Sequence, residues 1–221
     1  MRHIFLMSVL ALTSMAAVAS VPKEFRFKSL KVYEVPMGSS MAPEINEVSG
    51  LGEIIKIGDD LVALGERIYA LVQKGKPNVT TVYAPLNVVP KDPSTRQYVM
   101  PEDLEGTSAP VTRKYVAVVK NYLNMEVVRF EYMLMFSHSG SYNGRGKFIQ
   151  NAIIIPMKVH AVYGWDFSAT MKVIGVSNQG TARNPVAAAT MAMNYTVKSV
   201  GTAIDRTQVI SLTGAGGLVV E

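Results

Sequence analysis

Two glycine-bearing stretches hold the residue types best suited to recognition. The first, 137–146, reads SHSGSYNGRG and runs into Lys147; the second, 177–185, reads SNQGTARNP. In the first, Gly144-Arg145-Gly146 can direct backbone N–H groups and a guanidinium at a carboxylate or phosphate. An arginine fork donates hydrogen bonds in pairs, and successive N–H groups form anion-binding concavities. His138, Tyr142, Asn143, Arg145 and Lys147 are therefore candidate binding residues, with Asn178 and Arg183 from the second stretch. The same residues also suit tight turns, because Asn and Gly tolerate positive φ. The strands that these turns join are near each other in sequence, so both turns are expected at one end of the fold.

Catalytic constellations are missing. The serine-hydrolase elbow, the phosphate loop and the dinucleotide glycine pattern do not occur. With no cysteine, and only His138 and His160 beyond the first twenty residues, a structural zinc site is not expected, and neither is a cofactor. His160 sits in an apolar, strand-like segment, where a hydrogen-bonded core histidine is the expectation. Asp59 and Asp60, adjacent on a helix, would point apart; Glu102 and Asp103 lie on a loop less constrained in direction.

The segment expected to organise the elements is 49–74, SGLGEIIKIGDDLVALGERIYALVQK. Leu51, Ile54, Ile55, Leu61, Val62, Ile68, Tyr69 and Val72 recur at helical spacing, with Ser49 as N-cap and Lys74-Gly75 as a C-terminal stop. That spacing predicts a long amphipathic helix. Gly58 and Gly65, seven apart on its apolar face, are read as helix-packing positions that let the backbone approach a sheet.

The rest reads as strands. Segment 25–35 is a half-buried edge strand guarded by lysines. Segment 36–48 is a linker and 79–89 a strand interrupted by Pro85. Segment 90–110, with four prolines and four carboxylates, is a long loop of the kind that tends to be functional. From Val111 onward, alternation of Val128, Phe130, Tyr132, Leu134 and Phe136, and of Trp165, Phe167, Ala169, Met171 and Val173, marks strands with one buried face. The expected fold is mainly β with one long helix (α+β): an antiparallel β-sandwich of seven to nine strands with the helix on or beside it.

Export is the expected destination. Arg2 and His3, the apolar run 4–19 and the small residues Ala17-Val18-Ala19 form a signal peptide over 1–20, cleaved after Ala19 or Ser20. Segment 21–48 then supplies a strand and linker, and 49–221 a single domain. Absent cysteine rules out a lipidated bacterial lipoprotein and weakly favours a bacterial source. The net charge of +5, or +4 once Arg2 is removed, is spread along the chain without the basic cluster that nucleic acid requires. The leading expectation is a periplasmic or extracellular, non-enzymatic protein that binds a protein, an envelope polymer or copies of itself. One alternative is membrane activity through helix 49–74, an arrangement that resembles the plan of actinoporin-like toxins in architecture but in no motif. Peripheral membrane contact is compatible with the charge. An unrecognised hydrolase is the other alternative, and it requires the two histidines or a carboxylate pair to share a pocket.

Overall fold

The computed structural model describes residues 21–36, 52–57, 60–77 and 84–221. Signal peptide 1–20, most of linker 36–48, and Gly58 fall outside them. Thirteen strands are present among the described residues. They are β1 (Phe27–Val35), β2 (Glu53–Ile57), β3 (Leu61–Gly65), β4 (Ile68–Gln73), β5 (Lys76–Pro77), β6 (Leu86–Pro90) and β7 (Val111–Asn121), then β8 (Glu126–Tyr142), β9 (Arg145–Ala161), β10 (Trp165–Asn178), β11 (Ala187–Ser199), β12 (Thr202–Thr213) and β13 (Leu218–Val220). A seven-stranded sheet runs β1-β7-β8-β9-β6-β3-β2 and a six-stranded sheet β13-β12-β11-β10-β4-β5. All strand pairs are antiparallel.

The expected helix over 49–74 does not form. Its described part is β2, β3 and β4, and the chain passes from the first sheet to the second between β3 and β4. Helical spacing was matched because nearly every position in three short runs is apolar. Leu61 to Gly65 is buried at every position, which is the pattern of a fully covered strand. Gly65-Glu66-Arg67 is turn chemistry between the second and third of those runs. Gly65 is therefore not a helix-packing residue. It ends β3 at φ +146°, and a Cβ there would stand 2.8 Å from the Pro85 carbonyl oxygen. Arg67 secures the crossover by donating from Nη2 to the Ile55 carbonyl at 2.6 Å.

The period-two readings hold. Val128, Phe130, Tyr132, Leu134 and Phe136 of β8 are fully buried, as are Phe167, Ala169 and Met171 of β10. They interdigitate between the sheets, with Phe130 against Tyr132 and Phe167 at ring centroid distances of 5.2 and 5.6 Å. Arg129, Glu131 and Lys114 pair on the outer side, Lys114 Nζ lying 2.8 Å from Glu131 Oε2 and Arg129 Nε 3.1 Å from Glu131 Oε1. Among the described strands, edge strand β1 pairs only with β7, as the lysine-guarded segment implied. A polar knot centred on Gln208 lies within the apolar core. Tyr132 and Tyr195 hydroxyls each donate to Gln208 Oε1 at 2.8 Å. Burial pushes both phenols above their ordinary range, so they stay neutral donors.

Candidate functional site

Antiparallel connection puts the β8–β9 turn, the β10–β11 loop and the loop after β6 at one end of the molecule. Strand β8 runs to Tyr142, which pairs with Arg145, so the turn shrinks to Asn143-Gly144. Both residues have positive φ, 52° and 68°, the signature of a type I′ turn. The turn signal over 137–146 thus contracts to two residues, and the rest of that stretch is strand.

The β10–β11 loop is folded by Asn178. Its Oδ1 accepts from the N–H of Gly180 at 2.8 Å and of Val186 at 2.9 Å. The loop then docks on β9. Gly146 N–H donates to Asn184 Oδ1, and Lys147 N–H to the Pro185 carbonyl, both at 2.8 Å. The Gly146 N–H is therefore committed to Asn184 and does not form part of an anion-binding concavity. Glycine is required there, because at φ +80° the Phe148 ring packs where a Cβ would project.

Between these turns and the loop after β6 lies an open cleft of about 500 Å³. Four cations line it, Lys91, Arg96, Arg145 and Arg183, against one carboxylate, Asp60; Tyr142 and Asn143 complete the wall. Arg96, Arg145 and Arg183 are exposed, and none forms an ion pair among the described residues. Arg96 adopts φ +61°, a conformation that costs a non-glycine residue about 1 kcal/mol or more and recurs at functional sites.

Asp92 is the hub that holds this conformation. Its Oδ1 accepts from Ser94 Oγ at 2.5 Å and from the N–H groups of Ser94 and Thr95 at 2.8 and 2.9 Å. Its Oδ2 accepts from Tyr142 Oη at 2.7 Å, tying the loop to the hairpin. The Ser94 hydroxyl, the Thr95 N–H and the Tyr142 hydroxyl, in that order, hold the Asp92 carboxyl well below its usual range. In return, the bond to Asp92 raises the Tyr142 phenol. Asp92 and Arg96 were missed in the sequence, although Asp-Pro-Ser-Thr is a side-chain-to-backbone turn pattern within a loop long enough to draw notice.

A second hollow of about 670 Å³ lies on the other side of this loop, lined by Ile54, Val62, Gln97, Tyr98 and Met100 and sharing Lys91 and Arg96 with the cleft. Tyr98 and Met100 are 38% and 41% exposed, so a guanidinium at the ridge sits beside an apolar and aromatic floor.

The predicted site residues therefore divide. Tyr142, Asn143, Arg145 and Arg183 line one cleft. Asn178 shapes a wall, and Lys147 bonds through its backbone while its side chain stays exposed. His138 stands apart: its Nδ1 is 2.8 Å from Ser139 Oγ, and its ring packs on Gly216. His160 is exposed on β9, not a core histidine, and is paired in register with Arg129 of β8. Nine residue steps along β8 take Arg129 to His138, roughly 30 Å along the sheet, so the two histidines share no pocket. Among the described residues, no group of three or more His, Cys, Asp or Glu could hold a metal ion. Compared with known proteins, the chain matches no protein-family model, no curated protein and no solved structure.

Proposed function

We propose that the protein is an exported binding module that takes an anionic envelope polymer along the Arg96–Arg145–Arg183 cleft. The supporting observation is convergence. Three guanidinium groups, from the loop after β6, the first residue of β9 and the β10–β11 loop, line one cleft without an ion-pair partner among the described residues. Like charges held together oppose one another, and a carboxylate or phosphate relieves that opposition while accepting bidentate hydrogen bonds. The adjoining apolar hollow, which shares Arg96, favours an extended ligand with ring faces over a small ion. A polymer fits both hollows; a lone phosphate fills neither.

The ligand chemistry is an anionic group on a repeating chain, and two probes distinguish its sources. Binding of an oligogalacturonate, which offers carboxylates on sugar rings, and of inorganic polyphosphate is measured at several salt concentrations. Affinity for at least one is expected to fall steeply with salt. Arg145→Ala and Arg183→Ala are each expected to weaken it roughly tenfold, the equivalent of about one charged hydrogen bond. Binding unchanged in the double variant sinks the proposal. The reading through a helix 49–74 has lost its element, because the described part of that segment is three strands.

A further inference from the structure

We propose that the opposite end of the sandwich is a docking surface for an anionic lipid bilayer. That end gathers the β7–β8, β9–β10 and β11–β12 turns, and registers Phe27 with Asn121, Val128 with Ala161 and Trp165 with Ser199 fix them there. Each turn carries large exposed apolar side chains. Tyr122, Leu123 and Met125 are 57%, 49% and 53% exposed, Tyr163 is 100% and Val200 is 63%. Soluble domains seldom cluster such residues at protruding tips without a use for them.

The tips are built, not loose. Asn121, 1% exposed, accepts at Oδ1 from the N–H groups of Leu123 and Met125, both at 3.0 Å, and donates from Nδ2 to the Glu24 carbonyl at 3.1 Å. A buried asparagine thus holds Leu123 and Met125 outward. Beneath the β9–β10 turn, the Phe25 ring occupies the space under Gly164 (φ +83°), where a Cβ would be 2.6 Å from it. Ser199 Oγ donates to the Phe25 carbonyl, so segment 21–26 braces all three turns from inside.

Charge selects the occupant. Lys23, Lys28, Lys74, Lys76, Lys120 and Lys198 are exposed around these tips, against Glu24, Glu126 and Asp166. Glu126 is already engaged with Arg129 at 3.6 Å. Lys74 and Lys76 further line an open hollow with Gln73 and Ser168. Tyrosines and aliphatic side chains at loop tips ringed by lysines match an interface whose headgroups are anionic and whose interior is apolar. A second protein with one flat complementary face would leave three separate tips less well covered.

The chain's one tryptophan, Trp165, is buried two residues after Tyr163, at the start of β10, and reports on this end. Fluorescence of the purified protein is followed with phosphatidylcholine vesicles containing brominated lipid, with and without phosphatidylglycerol. The expected result is quenching of Trp165 by the anionic vesicles only. It should fall about tenfold in apparent affinity for Leu123→Ser/Tyr163→Ser, whose exposed positions leave the fold and its circular dichroism unchanged. Lys74→Glu/Lys76→Glu should weaken it as well. Vesicle binding without quenching, or equal quenching in the tip variant, overturns the proposal. So does a dimer in sedimentation that the tip variant dissolves, which would make a second copy of the chain the occupant. Arg145→Ala/Arg183→Ala, at the far end, should leave the quenching untouched, so the two proposals fail independently.

Discussion

Asp92 carries more of the cleft's geometry than any arginine in it. The carboxylate bonds to Ser94, Thr95 and Tyr142 at once and closes the loop that presents Arg96. Its depressed titration fixes the sign of a pH effect. A carboxyl whose folded-state pKa lies below its unfolded value contributes stability that is full above about pH 4, the unfolded value. That contribution is lost as pH falls toward the depressed folded value. Asp92→Asn should therefore be less stable than the parent near neutral pH, and the gap should narrow in denaturation curves taken at about pH 3. Polymer affinity should fall in the same variant, because Arg96 loses its support. A second residue-scale prediction concerns the polar knot. Gln208→Leu strands two buried phenols that keep only each other, 3.2 Å apart, and should cost about 1–3 kcal/mol in urea unfolding.

At the scale of elements, two glycines separate backbone strain from packing. Gly144 has φ +68° with open space around its missing Cβ, so Gly144→Ala should cost only the left-handed penalty of about 1–2 kcal/mol. Gly65 sits at φ +146° against the Pro85 backbone, which cannot move aside as a side chain can. Gly65→Ala should be the more damaging of the two by calorimetry; equal melting temperatures would contradict the strand crossover. These same positions explain what was legible in the sequence. Strands β8, β10 and β11 show period-two alternation because one face of each is buried, and the pattern survives in the residues. Strand β3 is buried at every position, so it carries no alternation, and its neighbours complete an accidental helical period. In the site, Tyr142, Asn143, Arg145 and Arg183 were visible because turn chemistry and arginine coincide. Asp92 and Arg96 were hidden, since their importance comes from a hydrogen bond to Tyr142, fifty residues away in the chain.

The whole molecule is polarised along its strands. Even-to-odd strand connections on one side make the arginine cleft, and odd-to-even connections on the other make the apolar, lysine-ringed tips. A sandwich of this kind can hold a polymer at one end while its other end faces a lipid surface. Net charge of +5 assists both contacts without specifying either. Raising salt should weaken polymer binding more than bilayer contact, because the tips add apolar burial that salt does not screen. The decisive measurement is an amide chemical-shift titration of the protein with oligogalacturonate or polyphosphate. Saturable shifts should concentrate at Lys91–Gln97, Tyr142–Lys147 and Thr181–Asn184, with the Tyr122 and Tyr163 turns silent. Shifts scattered over the surface lysines, or centred on those turns, would contradict a binding cleft built from Arg96, Arg145 and Arg183.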